Sequence, residues 1–282
     1  MNEGTLFVVA TPIGNLDDLS PRAREVLGRV DLIAAEDTRV TGRLLSHFGI
    51  RARKTPLHDH NEEKALPKLI ESLKSGNSVA LVADAGTPLV SDPGYRLVRA
   101  AHDAGIVVAP IPGPSALVAA LSASGLPSDR FAFEGFLPPR KGARRSRLEA
   151  LKHEPRTLLF FESVHRVAET VDDMRVAFGD DRPAFVGREL SKLHEQCVSD
   201  SLQSLAGRMA DGRIPLKGEF VIGVAGAEVA DDAEAAVDAY RLLGELLAVM
   251  PGKQAVDIVV RVTGAGRNAV YQRMLDRKDE DS

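Results

Sequence analysis

The sequence predicts an α/β protein: two α/β domains in succession, then a small C-terminal helical extension. Three observations lead there. Short, apolar, β-branched runs alternate with amphipathic stretches along the first part of the chain, the pattern of a mostly parallel sheet with helices on both faces. The alternation restarts after Pro127. A length of 282 residues exceeds one usual core and fits about two domains of roughly 100–150 residues each.

Residues 6–10, 32–35, 79–83 and 107–111 have the length and apolar continuity of buried strands. Between them, 21–29, 39–47, 62–75 and 92–104 carry helical periodicity. In the second part 131–136, 157–161, 184–188 and 220–224 read as strands, with a further short one at 196–200. Helices there fall at about 144–153, 163–177 and 201–211. More strands per residue predict a mixed sheet. The boundary lies between Ser115 and Pro127, giving domains of 1–118 and 119–228.

The acidic, alanine-rich run 228–234 reads as a solvated linker into a helix over 240–249. Pro251-Gly252 breaks the chain. Residues 253–262 and 267–275 then form two short helices around Thr263-Gly264-Ala265-Gly266, so that 233–282 makes a helix-turn-helix-like extension. Gly264-Ala265-Gly266-Arg267-Asn268-Ala269 matches G-x-G-x-x-G/A only formally. That motif must open a βαβ unit with an acidic residue about 20 positions on, and Ser282 comes first.

Composition narrows the function. A formal net charge of −4 argues against a non-specific nucleic-acid binder driven by total charge, and no DNA partner is expected. Arg140-Lys141-Gly142-Ala143-Arg144-Arg145-Ser146-Arg147 is nonetheless strongly basic. With no Trp and 5% aromatics, an extended base-stacking platform is not expected. No apolar run approaches the roughly 20 residues that span a bilayer, and no secretory signal pattern opens the chain. The single cysteine, Cys197, precludes an intramolecular disulfide and fits a reducing compartment. A cytoplasmic protein without a membrane partner is expected.

Four Gly- and Pro-rich turns follow apolar runs: Ala10-Thr11-Pro12-Ile13-Gly14-Asn15, Asp84-Ala85-Gly86-Thr87-Pro88-Leu89, Ser91-Asp92-Pro93-Gly94-Tyr95 and Pro112-Gly113-Pro114-Ser115-Ala116. The middle two are nearly continuous, so three strand ends carry the set, with Asp84 and Asp92 at the same edge. The strand ends of a parallel sheet share one edge, where open α/β folds bind ligands. Glycine lets the backbone approach a ligand, and proline fixes the loop beforehand. A pre-formed pocket that reads a small molecule through peptide groups is expected.

Other strings leave alternatives open. Glu36-Asp37-Thr38-Arg39 is either a helix cap, with Asp37 or Thr38 as N-cap, or a set of acids at the cleft beside an arginine able to fork a phosphate. His58-Asp59-His60-Asn61-Glu62-Glu63 lacks the ligands of a zinc site, the only cysteine being distant, so no metal is assigned. It is either a polar loop in which Asn61 starts a helix, or a substrate contact through His60 and Asn61. Phe160-Phe161-Glu162-Ser163 is a buried aromatic pair with Ser163 as N-cap, or an aromatic face beside a cationic ligand. Gly187-Arg188-Glu189-Leu190 places charge past a strand, as a salt-bridged core edge or as part of the site. Walker A and the G-x-S-x-G elbow are both absent, which removes most nucleotide hydrolases and leaves covalent catalysis unsupported.

Taken in order, Thr11-Pro12-Ile13-Gly14-Asn15, Glu36-Asp37-Thr38-Arg39, His58-Asp59-His60-Asn61-Glu62, the run from Asp84 through Gly94, Pro112-Gly113-Pro114-Ser115-Ala116, Phe161-Glu162-Ser163-Val164-His165-Arg166 and Gly187-Arg188-Glu189-Leu190 resemble the strings of the tetrapyrrole-methylase-like S-adenosylmethionine methyltransferases. The likeness covers about residues 4–226 closely, and it is strongest to a branch that acts on ribosomal RNA. It implies two α/β domains with a cofactor cleft between them and a homodimer. It further implies S-adenosyl-L-methionine as cofactor and 2′-O-methylation of a cytidine in the decoding region of 16S rRNA, in the small ribosomal subunit. By position in the strings, Pro12, Asp84, Gly86, Leu89, Val90, Ser115, Ala116, Phe161 and Leu190 would surround the cofactor. Phe161 stands where the family's aromatic pair carries tyrosine.

Methyl transfer to a hydroxyl needs an in-line approach and a base acting during transfer. Asp37 is the first candidate, followed by Glu36, His60 and Glu189, with Arg39 holding an RNA phosphate or a neighbouring acid. Arg140, Lys141, Arg144, Arg145 and Arg147 are expected to guide RNA, with Lys253, Arg261, Arg267 and Arg273 of the extension as a second candidate surface. The rivals are a methylase acting on a small tetrapyrrole, a non-catalytic RNA- or ligand-binding module, and a phosphate-sugar enzyme.

Overall fold

Strands β1 (Thr5–Val9), β2 (Leu32–Ala35), β3 (Lys54–Pro56), β4 (Val79–Val82) and β5 (Val107–Ile111) form a wholly parallel sheet in the order β3-β2-β4-β1-β5. The computed structural model describes residues 4–227 and 232–280. All four residues of β4 are buried, as a central strand covered on both faces requires. Helices α1 (Pro21–Arg29) and α2 (Thr38–His47) cover one face, where Val26, Leu27, Leu44 and Leu45 meet Val9 and Ile33. Helices α3 (Glu62–Lys74) and α4 (Tyr95–Asp103) cover the other, where Leu69, Leu73 and Leu97 meet Leu6 and Leu81. Each such fully buried side chain stabilises the fold by roughly 1.5–3 kcal/mol. The buried Glu62 of α3 accepts the Arg96 N–H of α4 at 3.1 Å, replacing the cap that Gly94 cannot supply and fixing the loop that leads there.

The second sheet holds β6 (Phe131–Phe136), β7 (Thr157–Ser163), β8 (Pro183–Arg188), β9 (Gln196–Ser201) and β10 (Glu219–Val224), in the order β6-β7-β10-β8-β9. Only β6 and β7 pair in parallel, so the sheet is mixed. On one face α6 (Lys141–Ala150), α7 (Val167–Phe178) and α8 (Leu202–Ala210) bury Leu148, Val171 and Leu205 against Phe160, Val186 and Ile222. On the other, α5 (Ala116–Ser124) packs Ala120 against Phe185 and Val221.

Two elements were not expected. β3 is a three-residue edge strand with Lys54 and Pro56 exposed, so it lacks the apolar run that marks a strand. α5 is Ala- and Leu-rich all round, and without a polar stripe no helical period appears. α7 starts at Val167 rather than near 163, because β7 keeps its pairing with β10 through Ser163.

The chain divides into two compact units, Met1–Gly226 and Ala227–Ser282. In the second, α9 (Asp232–Leu247), α10 (Gly252–Thr263) and α11 (Arg267–Glu280) enclose Leu243, Val256, Val259, Val270 and Met274. Gly264, at φ +72°, ends α10 in the left-handed conformation and turns the chain toward α11. Of the expected linker, 228–231 lie outside the described residues, and 232–234 begin α9. Among the described residues no helix is long and apolar enough to cross a membrane.

Candidate active site

The strand-end loops of the first sheet are tied to one another before any ligand arrives. Thr11 and Gly86 exchange backbone hydrogen bonds at 2.9 and 3.0 Å, and the Thr87 hydroxyl donates to the Pro114 carbonyl at 3.0 Å. Gly86 sits at φ +84°, and an added Cβ would lie 3.3 Å from the Ile13 side chain, so only glycine fits without displacing a neighbour. Leu89 and Ser91 in the same loop also have positive φ, at 72° and 69°. Such conformations cost energy and persist only where the surroundings impose them.

Across from these loops stands the second sheet. Its loop after β8 carries Glu189 and Ser191, again at positive φ. The Ser191 hydroxyl bonds to the Asp18 carboxylate and accepts the Asn15 N–H at 3.3 Å, which ties this loop to the loop after β1. Between the two sheets lies a cavity of about 430 Å³. Ile13, Gly86, Val90, Ser115 and Ala116 line it from one side, Phe161 and Leu190 from the other. Phe161 packs edge-on to Phe133 with ring centres 4.8 Å apart, and the half-exposed Phe136 closes in at 5.8 Å. Ser115, the N-cap of α5, makes no cap bond with its hydroxyl, and it lines the cavity together with Ala116 at the helix N-terminus.

Of the nine residues expected around a cofactor, Gly86, Val90, Ser115, Ala116, Phe161 and Leu190 therefore line this cavity. Pro12 and Asp84 line a separate space of about 210 Å³ beside α2, with Thr11 and Arg43. Leu89 packs instead into the core around Leu81 and Leu97.

The acids form a graded set. The Asp37 N–H donates to Asp84 at 2.9 Å, and the Asp84 N–H donates to Glu36 at 3.2 Å. Burial, with the neighbouring carboxylates, pushes both Glu36 and Asp84 up from their ordinary values. Asp92 lines the cavity itself, and burial together with the charges of Glu36 and Asp84 pushes it up to about 7. The sequence showed Asp92 only as one acid in a turn, because its partners come from other strand ends. Ile13 and Phe136 were likewise not singled out.

Several expected roles meet obstacles in the geometry. Asp37 caps α2 and is forked by Arg39 at 2.6–3.1 Å, which holds its carboxyl well below the usual range and makes it a poor base. Arg39 is 87% exposed on its side chain, and its guanidinium is engaged by Asp37. Glu189 accepts from Lys192 at 2.8 Å and from the Glu219 N–H at 2.9 Å, and the lysine holds it below its ordinary value. Asn61 accepts the His58 N–H at 2.9 Å and donates to the Pro56 carbonyl at 3.0 Å, so its amide serves the turn rather than a substrate. His60 is exposed on that turn. Among the described residues no group of three or more His, Cys, Asp and Glu is arranged to hold a metal ion.

The basic segment needs the largest correction. Arg144 is buried, donating to Asp173 at 2.8 Å and Glu169 at 3.2 Å, and offers nothing to an outside phosphate. Arg145 pairs with the same Asp173 at 2.7 Å, and Arg147 with Glu134 at 2.5 Å. Only Arg140 and Lys141 remain exposed without an ion pair among the described residues. The signal was in the sequence: Arg144 shares a helical stripe with Leu148 and Leu151, both buried.

Two α/β layers enclose this cavity at the strand ends, and the family model of the tetrapyrrole (corrin/porphyrin) methylases matches residues 5–206. The solved uroporphyrin-III C-methyltransferase of Thermus thermophilus in complex with S-adenosyl homocysteine has this fold, at TM-score 0.55 and 19% identity over 79% of this chain and 97% of that one. The methyltransferase CobJ gives 0.59 at 19% identity. Residues 233–278 match the RsmI C-terminal HTH domain. Ribosomal RNA small subunit methyltransferase I of Pseudomonas aeruginosa is 51% identical over 99% of both chains, and that of Escherichia coli O157:H7 is 47% identical over 98% of this chain and 96% of its own. The chain belongs to the tetrapyrrole methylases, within the family of ribosomal RNA small subunit methyltransferase I.

Proposed function

We propose that the chain transfers the methyl group of S-adenosyl-L-methionine to the 2′-oxygen of a cytidine ribose in the decoding region of 16S rRNA. The observation that carries this reading is the cavity at the strand ends, enclosed by loops bonded to each other and lined largely by backbone and apolar side chains. Its volume of about 430 Å³ falls within the roughly 300–1,000 Å³ of small-molecule sites. Ile13, Phe161 and Leu190 would hold the apolar parts of the cofactor, and the N-terminus of α5 with Ser115 would hold its carboxylate. Asp92, which lines the cavity and feels the charges of Glu36 and Asp84, suits a ligand that carries positive charge. When bound, the cofactor supplies a methyl group already activated by its sulfonium.

Asp92 replaces Asp37 as the base. A ribose hydroxyl is a weak acid, so its proton must leave during transfer, to an acceptor that titrates near working pH. Asp92 lies in the cavity wall, where burial pushes its carboxyl up to about 7. Burial keeps that value high, and the charges of Glu36 and Asp84 add to it. Stiff loops that hold the reacting groups in line supply up to about 7–11 kcal/mol of the barrier reduction. In this reading the domains 1–118 and 119–228 each provide one wall of the cavity, and 233–282 is a small helical extension. A protein acting on the small ribosomal subunit works in the cytoplasm, and the homodimer is what the family likeness implies.

Calorimetric titration with S-adenosylmethionine tests the reading. The folded protein takes up the cofactor, and Ala116→Phe, which fills the cavity from α5, weakens uptake at least about tenfold, as loss of about 1.4 kcal/mol would. No uptake by the folded wild-type chain overturns the proposal.

A further inference from the structure

With Arg144, Arg145 and Arg147 tied to carboxylates, the RNA needs another basic surface, and one stands beside the cavity. Arg39 and Arg43 lie one helical turn apart on α2, whose first residue follows the acids Glu36 and Asp37. Lys54 of edge strand β3 reaches back across that helix, its Nζ 3.6 Å from where a Cβ on Gly42 would stand. Arg51 and Arg53 precede it in the chain, and the Arg53 carbonyl extends the edge by accepting the Ile33 N–H at 2.9 Å. Arg43, Arg51, Arg53 and Lys54 are all exposed, and none makes an ion pair among the described residues. Arg43 also lines the smaller, separate cavity with Asp84 and its charge reaches that carboxylate, so the row begins next to the strand-end acids rather than in the cofactor cavity.

We infer that Arg43, Arg51, Arg53 and Lys54 form a track along α2 and the β3 edge that holds the phosphate backbone of the RNA strand whose ribose enters the cavity. The inference rests on the rRNA methyltransferase reading for the identity of the strand. Its physical basis is separation of charge: Asp92 lines the cavity where the sugar reacts, and unpaired cations lie exposed on α2 and the β3 edge, where a polyanion runs. An edge strand suits this role. Its charged side chains discourage pairing with another sheet and leave the cations free for a ligand.

The test measures affinity of the full-length protein for small ribosomal subunits between about 50 and 200 mM salt, a span that brackets the physiological range. Each phosphate that is no longer neutralised lowers the log–log salt slope by about 0.7–0.9. The fourfold variant Arg43→Gln, Arg51→Gln, Arg53→Gln, Lys54→Gln is expected to reduce the slope by about 3 and to raise KM, while its cofactor uptake by calorimetry stays at the wild-type level. Arg53→Gln and Lys54→Gln as single variants each reduce it by about 0.7–0.9, which preserves the test if the fourfold variant misfolds. An unchanged slope in the folded variants overturns the track, as does a full loss of slope on changing Arg140 and Lys141 to Gln instead. A wild-type protein that binds subunits with the expected slope but transfers no methyl group overturns the methyltransferase reading and leaves the track standing.

Discussion

Replacing Arg144 with methionine separates its structural role from an RNA-binding one. The guanidinium is 1% exposed, and its dominant partner is Asp173, 2% exposed at 2.8 Å. The second partner, Glu169, is 71% exposed, so its bond adds little. Removing one member of a buried pair destabilises by about 3–5 kcal/mol, because the remaining charge stays in the interior. Arg145 keeps its 2.7 Å bond to Asp173 and partly compensates, so the lower end applies. At about 2–4 °C per kcal/mol for a unit of this size, a loss of about 3 kcal/mol lowers the melting temperature by about 6–12 °C. Circular dichroism melts of the parent and the variant measure this directly. Adding Asp173→Leu is expected to recover most of the loss, since an apolar replacement of a whole buried pair is often neutral, and the double-mutant cycle gives the coupling. A variant that melts within about 1 °C of the parent but binds small subunits more weakly would refute the burial argument and restore Arg144 to the RNA surface.

Three further outcomes follow from the site. In single-turnover methyl transfer the rate should rise with pH through about 7 as Asp92 ionises, and Asp92→Asn should remove that limb and slow transfer by about 10²–10⁴. Folding gives the complementary sign: the raised value means the native state binds this proton more tightly than the unfolded chain, so stability is lost as pH rises from the carboxylate range through about 7. Asp92→Asn is therefore expected to melt higher than the parent at pH 8, with no such gain at pH 4, in parallel thermal scans. Gly86→Ala should cost about 1–2 kcal/mol from its left-handed φ and weaken cofactor uptake by pressing on Ile13, as calorimetry and melts would register together.

Much of the architecture was legible from periodicity. The strands at Leu32–Ala35, Val107–Ile111 and Phe131–Phe136 and the helix at Pro21–Arg29 fall where apolar runs and amphipathic periodicity place them. β3 was not legible because a three-residue edge strand has no buried face to reveal it. α5 was missed for the opposite reason, since a helix apolar all round has no stripe. The Gly- and Pro-rich turns marked the cavity because backbone conformation is a local property. The standing of Asp92, Asp37 and Arg144 depends on partners brought from elsewhere by the fold or locked in by a neighbour, and residue type alone does not carry that. Arg144 looked like one cation among five, and its difference is Asp173, 29 residues away.

The chemistry itself has a direct test. Small ribosomal subunits incubated with the protein and methyl-labelled S-adenosylmethionine are digested to nucleosides, and the label is located by mass. Label on the ribose of a cytidine is the predicted result. Label on a base, or none on RNA from a preparation that binds the cofactor, would contradict a cavity built to bring a sugar hydroxyl to an activated methyl group.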